Sequence, residues 1–490
     1  MFSTLSCKKC LRFSYNVTSI LCRSRSTAVD NQYQSVSDFY AGKSVFLTGG
    51  TGFLGKAYIE KLLRGCEDID KVFILIRQKK GEPIEARVSQ MIKNPIFDRL
   101  RKTRPQAFNK IVPIIGDISE PKLGIKPKDE QTLKDEVSVV IHSAATVKYR
   151  EPMQVAMNIN FEGTRRIMDL CKGMRNLESF VYISTAFCHL TKKVLYEKIY
   201  PAPATVDEIY DFIKKYNNDP AETAKFLGPQ PTTYTYTKCL TENYIGENPE
   251  IPTTIVRPPA VQATYKEPVG GWLDNWYSSA GVCFDTARGL NHIMCGKTSN
   301  VVDCMPVDYV VNLTLVAGAR QNSKDICAVY NSTSSHCNPV TWYEIHQAFI
   351  KENLKFGFYE GKPYVVFVNS QLVMDLVTFL QMKVPAHTAD LFLRLVGKEP
   401  RHVKKLTRIL NTRWSMAYFH TYNCVFRNDK ARALYGSLSE FDKEKFPCDP
   451  TDIDWDEYLK IYFKGVTEYL VPALLKKEKS TFVPKPNWDK

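Results

Sequence analysis

The stretch Ser44-Val45-Phe46-Leu47-Thr48-Gly49-Gly50-Thr51-Gly52-Phe53-Leu54-Gly55 decides the fold. A short apolar strand runs into clustered glycines. Ala57 to Leu63 follow with a helical apolar face made by Tyr58, Ile59, Leu62 and Leu63. Gly49, Gly52 and Gly55 stand three apart. Glycines so placed let the backbone turn tightly and approach a pyrophosphate, while the helix N-terminus offers free N–H groups and partial positive charge. Between a strand and a helix, Thr48, Gly49, Gly50, Thr51, Gly52, Phe53, Leu54 and Gly55 therefore become candidate dinucleotide contacts.

The rhythm repeats outward from this turn. Val72–Ile76, Ile111–Ile115, Val137–Ile141, Phe180–Ile183 and Thr253–Val256 are further short apolar runs between helical stretches. Continuous apolar runs suit strands buried on both faces, and strands alternating with helices indicate an α/β fold with a doubly wound parallel sheet. Near Arg320 the rhythm fades. Residues 340–470 carry aromatics at helical spacing, as in Trp342, Ile345, His346 and Phe349. The expected organisation is a basic tail at 1–35, a nucleotide-binding domain at 36–335, a smaller, mostly helical domain at 336–475 and a polar tail at 476–490.

With 490 residues, 44% hydrophobic and 24% charged, the chain has ample material for a core, so disorder as a whole is excluded. No run reaches the roughly 18–20 uncharged apolar residues of a membrane helix. The net charge is +14, and five cations (Lys8, Lys9, Arg12, Arg23, Arg25) precede the first acid, Asp30. That opening segment suits a transit peptide and a plain disordered tail equally. No nucleic-acid motif accompanies the charge, so an anionic cofactor, substrate or lipid surface is the expected partner, not nucleic acid. The 14 cysteines are scattered and read as free thiols, and no metal-binding spacing appears, so no metal is expected.

Side chains past the strand ends suggest the chemistry. An acid near 20 residues beyond the glycines would bind a free ribose 2′-hydroxyl. Here Arg77 stands 22 residues past Gly55, with Lys79 and Lys80 behind it. Cations there suit a 2′-phosphate, so NADP(H) is expected over NAD(H), with Arg77 and Lys80 as contacts. Asp117, before Ile118, reads equally as an acceptor for the adenine amino group and as a turn residue. Ala144 and Ala145 are small enough to let the backbone lie against ribose and nicotinamide, and Asn160 is placed to brace that strand.

Tyr234-Thr235-Tyr236-Thr237-Lys238 puts Tyr234 and Lys238 on one helical face. The ammonium is expected to lower the phenol pKa and to hold the nicotinamide ribose, leaving Tyr234 to protonate a carbonyl oxygen as hydride arrives. Ser184 and Thr185 end a strand where hydroxyls enter the crevice, and Thr185 is the favoured partner of Tyr234.

The order glycine turn, Ser-Thr-Ala, Tyr-x-x-x-Lys, then Arg257-Pro258-Pro259 resembles an extended, Rossmann-type short-chain dehydrogenase/reductase. Phe39-Tyr40-Ala41-Gly42-Lys43 before the turn, His142-Ser143-Ala144-Ala145-Thr146-Val147, Pro306-Val307-Asp308, Asn338-Pro339-x-Thr341-Trp342 and the tail with Asp454-Trp455 and Tyr458 are similar to fatty acyl-CoA reductases. The resemblance covers roughly residues 36–472. It implies NADPH-dependent reduction of a long-chain acyl-CoA thioester to a primary alcohol through an aldehyde, with CoA released, for wax, ether-lipid or other lipid-alcohol supply. The motifs alone leave other extended reductases open, acting on a steroid, sugar nucleotide or free aldehyde, as well as a non-enzymatic scaffold. Asp308 is expected to cap a helix. Acyl chain length is expected to depend on the helical domain and on the 205–230 insertion.

Where similar animal proteins end in hydrophobic segments, this chain runs Leu474-Leu475-Lys476-Lys477-Glu478-Lys479, and it closes Asn487-Trp488-Asp489-Lys490. Neither a hydrophobic anchor nor a Ser-Lys-Leu address is therefore expected. An intracellular protein in peripheral contact with a membrane surface is expected, with endoplasmic reticulum, peroxisome and mitochondrion all open. The apolar stretch Val365–Leu395 reads either as an interfacial helix or as core lining the acyl tunnel.

Overall fold

The computed structural model describes residues 33–478, apart from 79–80, 150, 191, 277–278 and 322–326. Its centre is a parallel sheet of seven strands among the described residues: β1 (Ser44–Thr48), β2 (Val72–Ile76), β3 (Ile111–Ile115), β4 (Val137–His142), β5 (Ser179–Ile183), β6 (Thr253–Arg257) and β7 (Cys327–Asn331). Their spatial order is β7-β6-β5-β4-β1-β2-β3. Register is set by pairs such as Val45↔Val72, Leu47↔Ile141 and Ile183↔Val256. The β7 strand extends the pattern past the point where the sequence rhythm fades. It lies at the sheet edge and is only partly buried, so Cys-Ala-Val-Tyr-Asn lacks the apolar run of a central strand.

Alternation along each strand divides the core. Val45, Leu47, Ile74, Ile141 and Val181 pack on one face of the sheet, and Phe46, Phe73, Val140 and Phe180 on the other. Helix α1 (Phe53–Gly65) begins four residues before the apolar periodicity suggests and covers the first face with Leu62 and Leu63. The order reverses between β1 and β4, so the chain departs in opposite directions from their C-terminal ends and opens a crevice there.

The helical part from Trp342 onward shares a core with the 260–310 region. Trp342, Phe349, Tyr458 and Phe463 pack with Tyr265, Phe284, Met305 and Tyr309. Asp308 does not cap its own helix, Val307–Ala319. Its carboxylate accepts N–H bonds from Tyr265, Lys266 and Glu267 at 2.8–3.1 Å and clamps the preceding loop instead. The described cysteines are free thiols. No helix among the described residues is long and apolar enough to cross a membrane.

Candidate active site

A cavity of about 1340 Å³ opens at the C-terminal ends of β1, β4 and β5. On one side lies the glycine turn. Gly49 has φ +74°, and a Cβ there would sit 2.9 Å from the Ala144 nitrogen. A Cβ on Gly55 would sit 2.1 Å from the Gly49 carbonyl oxygen. Only glycine lets strand end, turn and helix approach this closely. No side chain caps α1 at Gly52, so its first-turn N–H groups face an open cradle suited to a pyrophosphate.

Gly49, Thr51, Gly52, Phe53, Leu54 and Gly55 line the cavity, whereas Thr48 and Gly50 do not. The Thr48 hydroxyl turns inward to His142 Nδ1 at 2.7 Å and accepts the Ala144 N–H at 3.1 Å. His142 Nε2 lies 3.0 Å from the Thr164 hydroxyl, which donates to Asn160 O at 2.8 Å. Nε2 therefore carries the proton and Nδ1 accepts from Thr48. Burial, with Lys238 nearby, lowers the His142 pKa to about 3, so this ring stays neutral and braces β1 against β4. Asn160 does brace the segment after β4, accepting the Thr146 N–H at 2.9 Å and donating to Thr146 O at 3.2 Å. Ala144 and Ala145 complete the floor.

Arg77, Asp117 and Ile118 line the far end. Asp117 takes the turn part that its sequence allows. Its Oδ1 closes a turn by accepting from Ser119 N at 2.9 Å and Ser119 Oγ at 2.7 Å, while Oδ2 lies 4.0 Å from Arg77 Nε. Arg77 is 74% exposed and positioned at the rim. Arg87, which sequence reasoning missed, joins it there and donates to the Arg77 carbonyl. Its only sequence signal was a cation on the helix after β2. Lys80 lies outside the described residues.

The opposite side holds the hydroxyls of Tyr234, Ser184 and Thr185. Helix α2 (Thr233–Glu247) carries Tyr234 and Lys238, and β5 delivers Ser184 and Thr185 to the same cavity. The Thr185 hydroxyl accepts the Phe187 N–H at 3.3 Å and hydrogen-bonds the Tyr234 side chain. The Ser184 hydroxyl is buried and makes no hydrogen bond.

Lys238 departs from expectation. Its Nζ donates to Ile183 O at 2.6 Å and lies 4.4 Å from the Tyr182 ring centroid. Burial lowers its pKa to about 7, opposed by the nearby Glu242 carboxylate. Tyr234 is accordingly not tuned downward by an ammonium. Burial raises its pKa, Tyr149 adds to the rise, and the Thr185 hydrogen bond offsets only part of it. The phenol stays protonated at neutral pH, which suits a proton donor.

Behind α2, Arg257 donates to Glu242 through Nε at 2.8 Å and Nη2 at 2.5 Å, both side chains being fully buried. Although burial pushes the Glu242 carboxyl up, the guanidinium holds it well below the usual carboxylate range. Cys188 and His189 bring possible metal donors close to this carboxylate, but Arg257 already engages both its oxygens.

Beyond Tyr234 the cavity becomes aromatic. Tyr149 lies 6.5 Å from the Tyr234 ring and 5.7 Å from Phe419, which is 4.8 Å from Phe187. Trp342 and Trp414 also line this end. Sequence reasoning missed this wall, although Phe187 follows the Ser-Thr-Ala motif directly and Trp414, Met416 and Phe419 cluster on one helix. The 205–230 insertion does not line the cavity. Its Ile209, Phe212 and Leu227 instead cluster with Met153, Phe161 and the Tyr236 and Leu240 side chains of α2.

Known proteins resemble the chain in sequence and in fold. A family model described as male sterility protein matches residues 47–314, and a second with the same description matches residues 381–472. Fatty acyl-CoA reductase 1 of Xenopus laevis is 33% identical over 446 residues, covering 89% of this chain and 86% of that protein. Fatty acyl-CoA reductase wat of Drosophila melanogaster is 33% identical over 447 residues, covering 88% and 85%. Among solved structures, the terminal R domain from the myxalamid PKS-NRPS pathway has the same fold, with TM-score 0.59 and 19% identity over 88% of this chain and 92% of that one. With its glycine turn, its Tyr234–Lys238 helix and its helical C-terminal part all inside these matches, the chain belongs to the fatty acyl-CoA reductase family.

Proposed function

We propose that this cavity reduces a long-chain acyl-CoA to the primary alcohol with NADPH. The observation that carries the reading is one continuous space of about 1340 Å³, lined by the glycine turn, by Tyr234, Thr185 and Lys238, and by an aromatic wall. The reduction of a fatty acyl group to a fatty alcohol is the family's reaction. A steroid, sugar-nucleotide or scaffold role has no such support.

The residues present fit a dinucleotide. The glycine cradle would hold its pyrophosphate, Ala144 and Ala145 would back the ribose and nicotinamide, and Lys238 would donate to the ribose. Arg77 and Arg87 support the phosphorylated cofactor, since two guanidinium groups at the rim would pair with a 2′-phosphate. Bound NADPH supplies hydride to the substrate carbonyl carbon. Tyr234 and Thr185 hydrogen-bond the oxygen as it gains charge, and Tyr234 supplies the proton. The tetrahedral adduct breaks its C–S bond, releasing CoA thiol and aldehyde. A second hydride and a second proton then give the alcohol, so two cofactors are oxidised per thioester.

The product suits wax, ether-lipid or related lipid-alcohol supply inside the cell. The substrate is amphiphilic and partitions into bilayers, which supports work at a membrane surface. Mass spectrometry of products from an acyl-CoA panel, with NADPH and NADH compared, tests the reading. Alcohol with two oxidations per thioester and a preference for NADPH is expected, and Arg77→Asp should erode that preference about ten-fold. No turnover across chain lengths contradicts the substrate class. Equal use of both cofactors contradicts the cofactor.

A further inference from the structure

Between Gln371 and Leu395 the chain is helical throughout. Helices α3 (Gln371–Thr378) and α4 (Val384–Leu395) are joined by a π turn, Phe379–Lys383. Pro385 cannot donate to the ladder and clashes with the preceding turn, which explains the wider π turn in front of it.

The polarity of this segment is inverted. Met374, Thr378 and Asp390 are its buried side chains. The Thr378 hydroxyl accepts from Arg413 Nη2 at 2.9 Å. The Asp390 carboxylate accepts N–H bonds from Arg401, His402 and Val403 at 2.8–2.9 Å, closing the N-terminus of helix α5 (His402–Thr421). Polar anchors thus face the body. Facing outward are Leu372, Leu376, Leu380, Leu391, Phe392 and Leu395, each between 56% and 82% exposed. An ordinary surface helix has the opposite arrangement, and a contiguous exposed apolar stripe marks an interaction surface.

Charge identifies the partner. Lys383, Arg394, Lys398, Arg401 and Lys404 are exposed on and beside the stripe, against the exposed acids Asp375 and Glu399. Apolar side chains flanked by excess cations match the interface of an anionic bilayer. No residue from 365 to 395 lines the cavity, so the stripe is not the acyl tunnel. The next helix is both wall and surface: α5 lines the cavity with Asn411, Thr412, Trp414 and Ser415, and Trp414 is 49% exposed.

We infer that the α3–α4 face docks the protein on an anionic membrane leaflet, and that the Trp414 flank of α5 is the route by which the amphiphilic thioester passes from the leaflet into the cavity. The route rests on the acyl-CoA reading above; the docking face does not.

Sedimentation of the full chain with phosphatidylcholine vesicles holding about one-fifth phosphatidylserine tests it. Wild type should sediment with the vesicles, and less so in high salt, because the Debye length falls from about 10 Å at 0.1 M to about 3 Å at 1 M. Leu372→Ser with Phe392→Ser and Leu395→Ser should lower partitioning about ten-fold or more. Arg394→Glu with Lys398→Glu and Lys404→Glu should do the same on anionic vesicles and little on pure phosphatidylcholine. The thermal midpoint reports whether each variant is folded, and the charge variant decides if the serine variant is not. NADPH oxidation with detergent-dispersed palmitoyl-CoA is measured apart. Its absence alongside intact vesicle binding counts against the catalytic reading and the route, leaving the docking face standing. The Arg394→Glu, Lys398→Glu, Lys404→Glu variant, whose positions do not line the cavity, should slow turnover of vesicle-borne substrate about three-fold or more while sparing the detergent-dispersed rate, and equal slowing of both overturns the route. Three results overturn the docking face: wild type stays in solution, both folded variants sediment like wild type, or the stripe pairs two copies of the chain without binding vesicles.

Discussion

Strand β2 and the α3–α4 segment are both built mainly from aliphatic and aromatic residues, and the fold treats them oppositely. All five residues of Val72–Ile76 are buried, enclosed by hydrogen-bonded neighbours on both edges and by packed layers on both faces. In α3–α4 most of the large apolar side chains face solvent, while Met374, Thr378 and Asp390 face inward. Apolar sequence therefore reports a need for cover and not its source. In the sheet the cover is the chain itself, and burying each such side chain contributes about 1.5–3 kcal/mol. On α3–α4 the chain leaves the leucines exposed, and the helix is held by Arg413 and Asp390 instead.

The largest expected effect lies where the sheet ends. Tyr234→Phe keeps the ring but removes the proton donor, so turnover should fall 10²–10⁴-fold, on the order expected for general acid catalysis, with cofactor affinity nearly intact. Steady-state rates on thioester and aldehyde check this, and near-normal rates would remove Tyr234 from the acid role.

Ile74→Ala should cost about 2–5 kcal/mol in a urea titration, because the site is fully buried and cannot collapse freely. A cost below about 1 kcal/mol would break the contrast from the sheet's side.

The pH profile sharpens the site's electrostatics. With the Lys238 pKa lowered to about 7, the ammonium predominates below that pH and the amine above it. If the ammonium holds the ribose, kcat/KM should fall about ten-fold per pH unit well above 7, since this ratio reports free-enzyme ionisations. A flat profile between about pH 6 and about pH 9 would contradict an ionisable Lys238 in this role.

The smallest effect belongs to the other half of the comparison. Leu376→Ala removes a side chain that is 59% exposed, so stability should change by no more than about 0.5 kcal/mol. A loss comparable to that of Ile74→Ala would show that the stripe is covered by the chain's own packing.

The sequence by itself determined the sheet's centre and the turn and helix that line the cavity. Strand residues buried on both faces must be apolar throughout, and a turn with a 2.1 Å approach at Gly55 admits no side chain, so both leave local marks. Tyr234 and Lys238 were legible because one helix turn fixes their spacing. What joins distant segments was decided only by the tertiary structure. Edge strand β7 carries a weak pattern because solvent reaches it. Arg87 and the Tyr149–Phe419 wall meet the site from separate elements. The Lys238 ammonium was expected to act on Tyr234 through their shared helix face, but the Ile183 carbonyl, presented by β5, takes its proton bond instead. The direction faced by Leu372–Leu395 is likewise a tertiary fact. Helical periodicity defines a stripe, but which side turns inward depends on where Arg413 and the N-terminus of α5 wait for Thr378 and Asp390.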